Sequence, residues 1–399
     1  MRFWLIGLLL APCLAQNFTH RGFVETGLTL YPQAAPGDSA RATAESLVRD
    51  EAFYKFGSHW RFAAGLDART DSHRQVERSL EFSWPDRVLR RPVLAVRRLS
   101  ASYTRGPLSL EFGKQFIRWG KADILNPTDR FAPRDFLNVA QPDFLPVTGA
   151  RLTCGGQSDS VDLVWVPLFT PSRMPLAGQR WAPLPAGVPL RDLGSRFPGG
   201  SQFGARWNHI GRLAEYSLSF YDGRNHLPLI DARLALPVEF QRFYPRLRMY
   251  GADAALPLRW LTLKGEAAYF SSSTRQADEY VLYVVQLERQ IGEWTLVGGY
   301  AGEAVTARRS TLEFAPDRGL TRALLARAGY TIDANRSLAL ETAVRRNGDG
   351  MWLKFEYSQA FGRHWRATAG FAWIRGVASD FLGQYHRNSH AILALRYSF

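Results

Sequence analysis

The chain has 399 residues, 46% of them hydrophobic and 13% aromatic, and 50 lysines and arginines against 36 acidic residues give a formal net charge of +14. Mean hydropathy is −0.21, and past the N-terminus no stretch approaches the roughly 20 consecutive apolar residues of a membrane helix, so any membrane span has to be built from alternating strands. An isoelectric point near 10.1 would ordinarily raise nucleic acid as a partner; the export signal below argues against it and leaves anionic solutes and lipid phosphates, between which charge does not choose.

Arg2, the apolar run 3–10 and the small-residue segment Cys13-Leu14-Ala15 read as a secretory signal peptide over 1–15, cleaved after Ala15. A rival reading makes Cys13 a lipid-bearing cysteine, but Pro12 stands where such a site wants Gly or Ala. Once Cys13 is removed, Cys154 is alone, which excludes an intrachain disulfide and a CxxC metal or redox site. Asn17-Phe18-Thr19 matches a glycosylation sequon by chance.

From residue 16 onward the period is two. Trp60, Phe62, Ala64, Leu66 and Ala68 share one face, and Arg61, Ala63, Gly65, Asp67 and Arg69 the other. Such alternation fits a strand with lipid on one side and water on the other. Similar segments fall at 99–103, 108–112, 161–165, 203–207, 216–220, 261–269, 281–287, 324–332, 338–344, 351–357 and 365–373. Weaker ones fall near 21–31, 47–57, 76–82, 246–254 and 294–302. Arg105-Gly106-Pro107, Gly155-Gly156-Gln157 and Asn347-Gly348-Asp349-Gly350 carry hairpin-turn chemistry. In the last ten residues Ala391, Leu393, Leu395, Tyr397 and Phe399 alternate with His390, Ile392, Ala394, Arg396 and Ser398. That apolar face ends on a carboxy-terminal aromatic, as in the terminal strands by which bacterial outer-membrane barrels are recognised for assembly. The reading is one all-β domain over 16–399, a transmembrane antiparallel up-and-down barrel of about 16 strands, range 14–18.

Two segments break the alternation. Residues 119–136, WGKADILNPTDRFAPRDF, crowd charges around Gly120, Pro127 and Pro133. Residues 169–200 are rich in proline and carry Arg173, Arg180, Trp181, Arg191 and Arg196. Proline removes ladder donors, so both are predicted as long loops.

The motifs of this region resemble a family of porin-like outer-membrane barrels of Gram-negative bacteria whose function is poorly defined. The resemblance rests on Gly113-Lys114-Gln115, Trp119-Gly120-Lys121-Ala122-Asp123, Asn126-Pro127-Thr128-Asp129, Pro133-Arg134-Asp135 and Trp165-Val166-Pro167-Leu168-Phe169-Thr170-Pro171, within about 108–175. It implies a barrel in the outer membrane. It carries no settled substrate; solute or polymer passage and envelope lipid or polysaccharide handling are the roles associated with relatives.

Alternation assigns Arg61, Arg69, Arg98, Arg206, Arg246, Arg248, Lys264, Arg327, Arg345, Lys354, Arg366 and Arg396 to the lumen, against Asp67, Glu111, Asp162, Glu215, Glu266, Glu341 and Glu356. A basic pore concentrates anions, whereas Arg–Glu ladders across a filled interior would merely satisfy one another. The 119–136 loop with Arg118 is the candidate constriction. Arg118, Lys121, Arg130 and Arg134 would face an anionic solute, or Asp123, Asp129 and Asp135 would cap turns and pair with those bases. The eight histidines are scattered, with no HExxH and no GxSxG. No cofactor or metal is expected. The sequence therefore reads as a channel or transporter for small, preferably anionic solutes. A plugged, non-conducting barrel in envelope assembly or lipid or polysaccharide export comes second, and an outer-membrane enzyme third. Expected partners are outer-membrane lipid and lipopolysaccharide, and the barrel-assembly machinery through the strand ending at Phe399.

Overall fold

The computed structural model describes residues 17–182, 189–233, 237–309, 314–346 and 349–399. The expected signal peptide and Asn347-Gly348 of the last predicted turn lie outside them. Strands β1 (Phe18–Leu30), β2 (Ala42–Phe56), β3 (Trp60–Asp71), β4 (Leu94–Arg105) and β5 (Leu108–Gln115) begin a single wall. Two-residue strands β6 (Arg134–Asp135) and β7 (Asp143–Phe144) pair with each other inside a loop. The wall resumes with β8 (Val147–Gly155) and β9 (Asp159–Leu168). After β10 (Leu190–Arg196) it continues with β11 (Gln202–Ile210) and β12 (Glu215–Arg224). β13 (Leu229–Arg233) and β14 (Val238–Phe243) leave it again and join β10 in a small separate sheet. The rest is wall: β15 (Arg246–Pro257), β16 (Thr262–Ser271), β17 (Glu279–Ile291), β18 (Trp294–Ala307), β19 (Ala323–Thr331), β20 (Arg336–Arg345), β21 (Gly350–Phe361), β22 (Trp365–Gly376) and β23 (His390–Ser398).

Every wall strand pairs antiparallel with its neighbour, and β23 returns to β1 from Phe23↔Ser398 to Leu30↔Ala391. Phe399 extends that seam by exchanging two 3.0 Å backbone hydrogen bonds with Gly22. Closure leaves no strand edge unpaired, the condition for a sheet to cross lipid. The barrel has 18 strands, more than the sixteen expected and at the top of the expected range. The expected strand near 76–82 is absent: Val76 makes only an isolated bridge to Arg91, and Leu80 is 82% exposed. β8 was not anticipated, because Gly149, Ala150 and Cys154 give its alternation little apolar contrast.

The two ends differ. One carries short turns, such as 106–107, where Gly106 adopts φ +56°, open to glycine without strain. The other carries the long connections 31–41, 72–93, 116–146, 169–201 and 225–245. Because the outer face is apolar and exposed (Leu66, Leu99, Leu218, Leu393), the packed core lies inside the barrel. Ile117, Trp119 and Phe131 of the 116–146 loop are buried there against Val164, Val166, Tyr221, Met249, Phe270 and Leu282 of the wall.

Candidate functional site

The third long loop, 116–146, folds into the lumen, and its motif residues explain how. The Asp129 carboxylate accepts from the backbone N–H groups of Trp119 and Gly120. The Asn126 amide donates to the Ala122 carbonyl, so the loop closes on itself. A β-carbon at Gly120 would stand 2.5 Å from Asn126 Cβ, so this close approach requires glycine. The turn leaves several N–H groups facing the wall, and Glu266 of β16 collects them. It accepts from Lys121 N and Ala122 N at 3.1 Å each, and from Thr128 N and Thr128 Oγ1 at 2.8 Å each. Gln286 accepts from Asp123 N at 3.1 Å. The wall is dented to receive the loop: a β-carbon at Gly204 would meet Phe131 at 2.5 Å and Trp119 at 2.7 Å, and one at Gly251 would meet Thr128 at 2.7 Å.

The predicted constriction residues are thereby sorted. Asp123 faces Lys264 at 3.1 Å, Lys121 stands 3.5 Å from both Glu215 and Asp253, and Arg130 reaches Asp317 at 3.3 Å. Arg118 touches Asp129 at 3.5 Å. Arg118 and Arg134 both lie over the Phe144 ring, at 4.1 and 4.6 Å. Arg134 has no ion-pair partner among the described residues, and burial pushes its guanidinium below its ordinary value. Asp135 is the centre of a buried network: Arg91 at 2.9 Å, Arg173 at 3.0 Å, then Asp86 at 3.2 Å from Arg173 and Lys114 at 2.7 Å from Asp86. Burial opposes ionising Asp135, but Arg91 and Arg173 outweigh it and hold the carboxyl well below the usual carboxylate range. This network joins the loops 72–93, 116–146 and 169–201 into one inward unit.

His226 adds another link, with Nδ1 2.6 Å from the Thr170 carbonyl and Nε2 2.9 Å from that of Arg130. Burial pushes it down to about 4, so the ring is neutral and donates to only one of the two. Trp181 packs with Ile374 and Tyr385, and the Arg180 guanidinium lies 3.6 Å over the Tyr31 ring.

On the wall, the ladder places Arg61, Arg98, Arg206, Lys264, Arg327, Arg345, Lys354, Arg366 and Arg396 inward. Several meet acids: Arg206–Asp253 at 2.7 Å, Lys264–Glu288 at 2.7 Å, Arg327–Glu341 at 3.2 Å, Arg345–Asp380 at 3.0 Å, Lys354–Glu356 at 3.0 Å and Arg396–Glu25 at 2.6 Å. Arg246 and Arg248 do not belong to the lumen. Leu247 and Met249 turn inward to cover the loop, so the two arginines point outward, where Arg248 meets Asp222 at 3.1 Å. Inward wall residues uncounted from the sequence carry both signs, the acids Glu25, Glu45, Asp253 and Glu288 and the bases Arg49, Arg97 and Arg151.

Two of the larger hollows among the described residues lie beside the loop unit. One of ≈ 360 Å³ lies between Asp123, Leu125 and Arg134 of the loop and Arg327, Trp352 and Ile374 of the wall. The other, ≈ 370 Å³, runs along β1 and β2 and is faced by Arg49, Arg69, Arg91, Arg180 and Arg396, with Glu25, Glu45, Asp71 and Asp143 among them. Its lining extends from Phe23 to Thr29 on β1, about 20 Å of strand at ~3.3 Å per residue, and continues to Tyr31 just beyond it. Trp181 borders both. Arg180, Trp181 and Arg173 are legible in the sequence as loop residues, whereas Arg49 and Arg91 are not; strand 47–57 alternates charge on both faces, so its pattern does not choose an inward set.

An 18-strand closed antiparallel barrel with short turns at one end and its third long loop folded inside is a porin-like barrel. No family profile and no curated protein matches the sequence. Among solved structures, Acinetobacter baumannii OccAB4 aligns over 96% of this chain and 98% of its own at TM-score 0.58 and 8% identity. Pseudomonas aeruginosa OpdQ aligns over 96% and 98% at 0.54 and 9%, and P. aeruginosa OccK5 (OpdH) over the same shares at 0.54 and 8%. At such identities the likeness is one of fold.

Proposed function

We propose that the protein is an outer-membrane channel that passes small solutes, anionic ones in preference, along the β1–β2 side of the inserted loops. The observation that carries this is the tall hollow with Arg49, Arg69, Arg91, Arg180 and Arg396 on its lining. Its five arginines, each beside a carboxylate, outnumber the four acids on the same lining by one, and a net positive charge fixed in a low-dielectric passage raises the local anion concentration. Arg69 and Arg396 stand on the wall and Arg180 on a loop, so a solute moving along β1 meets bases from both sides. No redox or hydrolytic step is invoked, and the protein acts as a conduit rather than an enzyme.

A plugged barrel is the second reading, and a specific observation favours it: Trp119, Phe131, Tyr221 and Phe270 pack inside the lumen as densely buried as a soluble core. Proteoliposome swelling separates the two. A channel gives faster entry of a small carboxylate than of an uncharged solute of equal size, and replacing Arg69 and Arg396 with glutamine reduces that difference. A plug gives no swelling with either solute.

A further inference from the structure

The outward placement of Arg246 and Arg248 has a register that orders the outer wall into rows. Phe220, Tyr250 and Tyr269 stand directly opposite one another across β12, β15 and β16 and point outward. Tyr250 is 52% exposed and Tyr269 36%, so the row is an aromatic girdle. One pleat repeat toward the long loops, about 7 Å on, comes the row Asp222, Arg248 and Ser271. One further repeat brings Arg224 directly opposite Arg246. Like charges facing each other across a ladder are destabilising, and neither side chain has an acidic partner among the described residues. The 272–275 segment folds against this corner, with Ser272 Oγ donating to the Arg246 carbonyl and Arg246 N donating to Thr274 Oγ1, and it brings the exposed Arg275 with it. Arg309 donates to the Ser272 carbonyl from the next connection. Of the acids nearby among the described residues, Asp222 and Glu279 are engaged by Arg248 and Arg309 at 3.1 and 3.0 Å, and Asp278 by Arg318 at 3.3 Å.

We infer that this corner, Arg224, Arg246, Arg248 and Arg275, is a docking surface for a phosphorylated lipid headgroup of the leaflet on the long-loop side. The inference rests on the barrel being membrane-embedded, but not on its conducting. The aromatic row fixes where the acyl region ends, since tyrosine rings sit at the boundary of hydrocarbon and headgroups. The arginines lie one and two pleats beyond it, at headgroup depth. Guanidinium groups bind phosphate through paired N–H donors. A phosphate between Arg224 and Arg246 converts a repulsive cross-strand pair into a bridged one. An acyl chain beneath it lies on Phe220, Tyr250 and Leu218, a face already apolar.

The test uses the full protein purified in detergent and confirmed as a barrel by heat-modifiable gel migration, which fails separately if the barrel reading is wrong. Native mass spectrometry then measures adducts of phosphatidic acid, of phosphatidylcholine and of inorganic phosphate. Phosphatidic acid is retained in preference to phosphatidylcholine, and inorganic phosphate does not displace it. Arg246→Glu with Arg248→Glu loses that retention by at least about 30-fold, two bases at the usual strength of a basic side chain near an anionic surface. Arg246→Gln with Arg248→Gln serves if the reversal variant does not assemble. Arg289→Glu, on the outer wall near the short turns beside Trp260, retains phosphatidic acid as the wild type does. Equal retention in the Arg246/Arg248 and wild-type proteins overturns the inference, as does displacement by inorganic phosphate, which would make the site one for free anions.

Discussion

Glu266 is the most concentrated contact between wall and loop, and Glu266→Gln is the perturbation that isolates it. Its carboxylate receives four hydrogen bonds from loop residues 121, 122 and 128. Glutamine keeps one acceptor oxygen and turns an NH2 group toward donors that can no longer pair. Two bonds to a charged acceptor are lost, each worth roughly 1.5–3 kcal/mol. The low end applies, because the neutral amide also relieves the repulsion from Asp253 directly across the ladder. The loss is about 3 kcal/mol, or roughly 100-fold in the docking equilibrium. Cleavage of a transiently opened segment follows its open population, so trypsin should cut after Arg118, Lys121 or Arg130 roughly 100-fold faster, while the barrel retains its heat-modifiable migration. Thr128→Val removes one of the four bonds and should accelerate cleavage about tenfold, and much less on the Glu266→Gln background, since the two share a contact. A rate within about threefold of wild type in Glu266→Gln would refute the claim that this carboxylate holds the loop.

Two further outcomes follow from the same geometry. Gly204→Ala places a methyl group against Phe131 and Trp119 and should lower unfolding stability in urea by about 1–3 kcal/mol; Gly265→Ala, with open space around it, should stay within about 0.5 kcal/mol. A neutral Gly204→Ala would mean that the loop does not approach that wall. The Asp135 network sets a pH window: its carboxyl is depressed in the folded protein, so the stabilisation is complete above the ordinary carboxylate pKa of about 3.9 and is lost only as pH falls below it. Trypsin-independent probes of the loop, such as amide exchange at 120–136, should be unchanged from pH 7 to 5 and loosen below about pH 4. Asp135→Asn should loosen it at pH 7; loosening of the wild type already at pH 6 would contradict the assignment.

Much of the wall was legible because lipid outside and polar groups inside impose a period of two. The strand at 60–69 and the terminal strand carry that period without interruption, and the structure keeps both faces as read. Legibility failed where the period persists but its phase changes meaning. At β15, Arg246 and Arg248 alternate with Leu247 and Met249 as a lumen strand's would. There the inserted loop makes the inner face apolar and moves the charges outside. At 76–82 the alternation has no neighbour to pair with. The loop motif was visible as a motif but not as a device. That Asp129 closes the turn, and that Glu266, 138 residues from Thr128, holds it, depends on contacts distant in sequence. Arg91 and Arg173 meet Asp135 from two other segments, 72–93 and 169–201, with Asp86 behind Arg173, and no spacing in one chain marks such a meeting.

The central claim is that the lumen passes anions beside the inserted loops. Its most direct test is the reversal potential of purified, folded protein in planar bilayers under a KCl gradient. Measurable conductance with anion preference is expected, the preference falling as salt screens the arginines over a Debye length of about 10 Å at 0.1 M. Cation preference would contradict the selectivity, and silence from protein verified as a closed barrel would replace the channel with a plug.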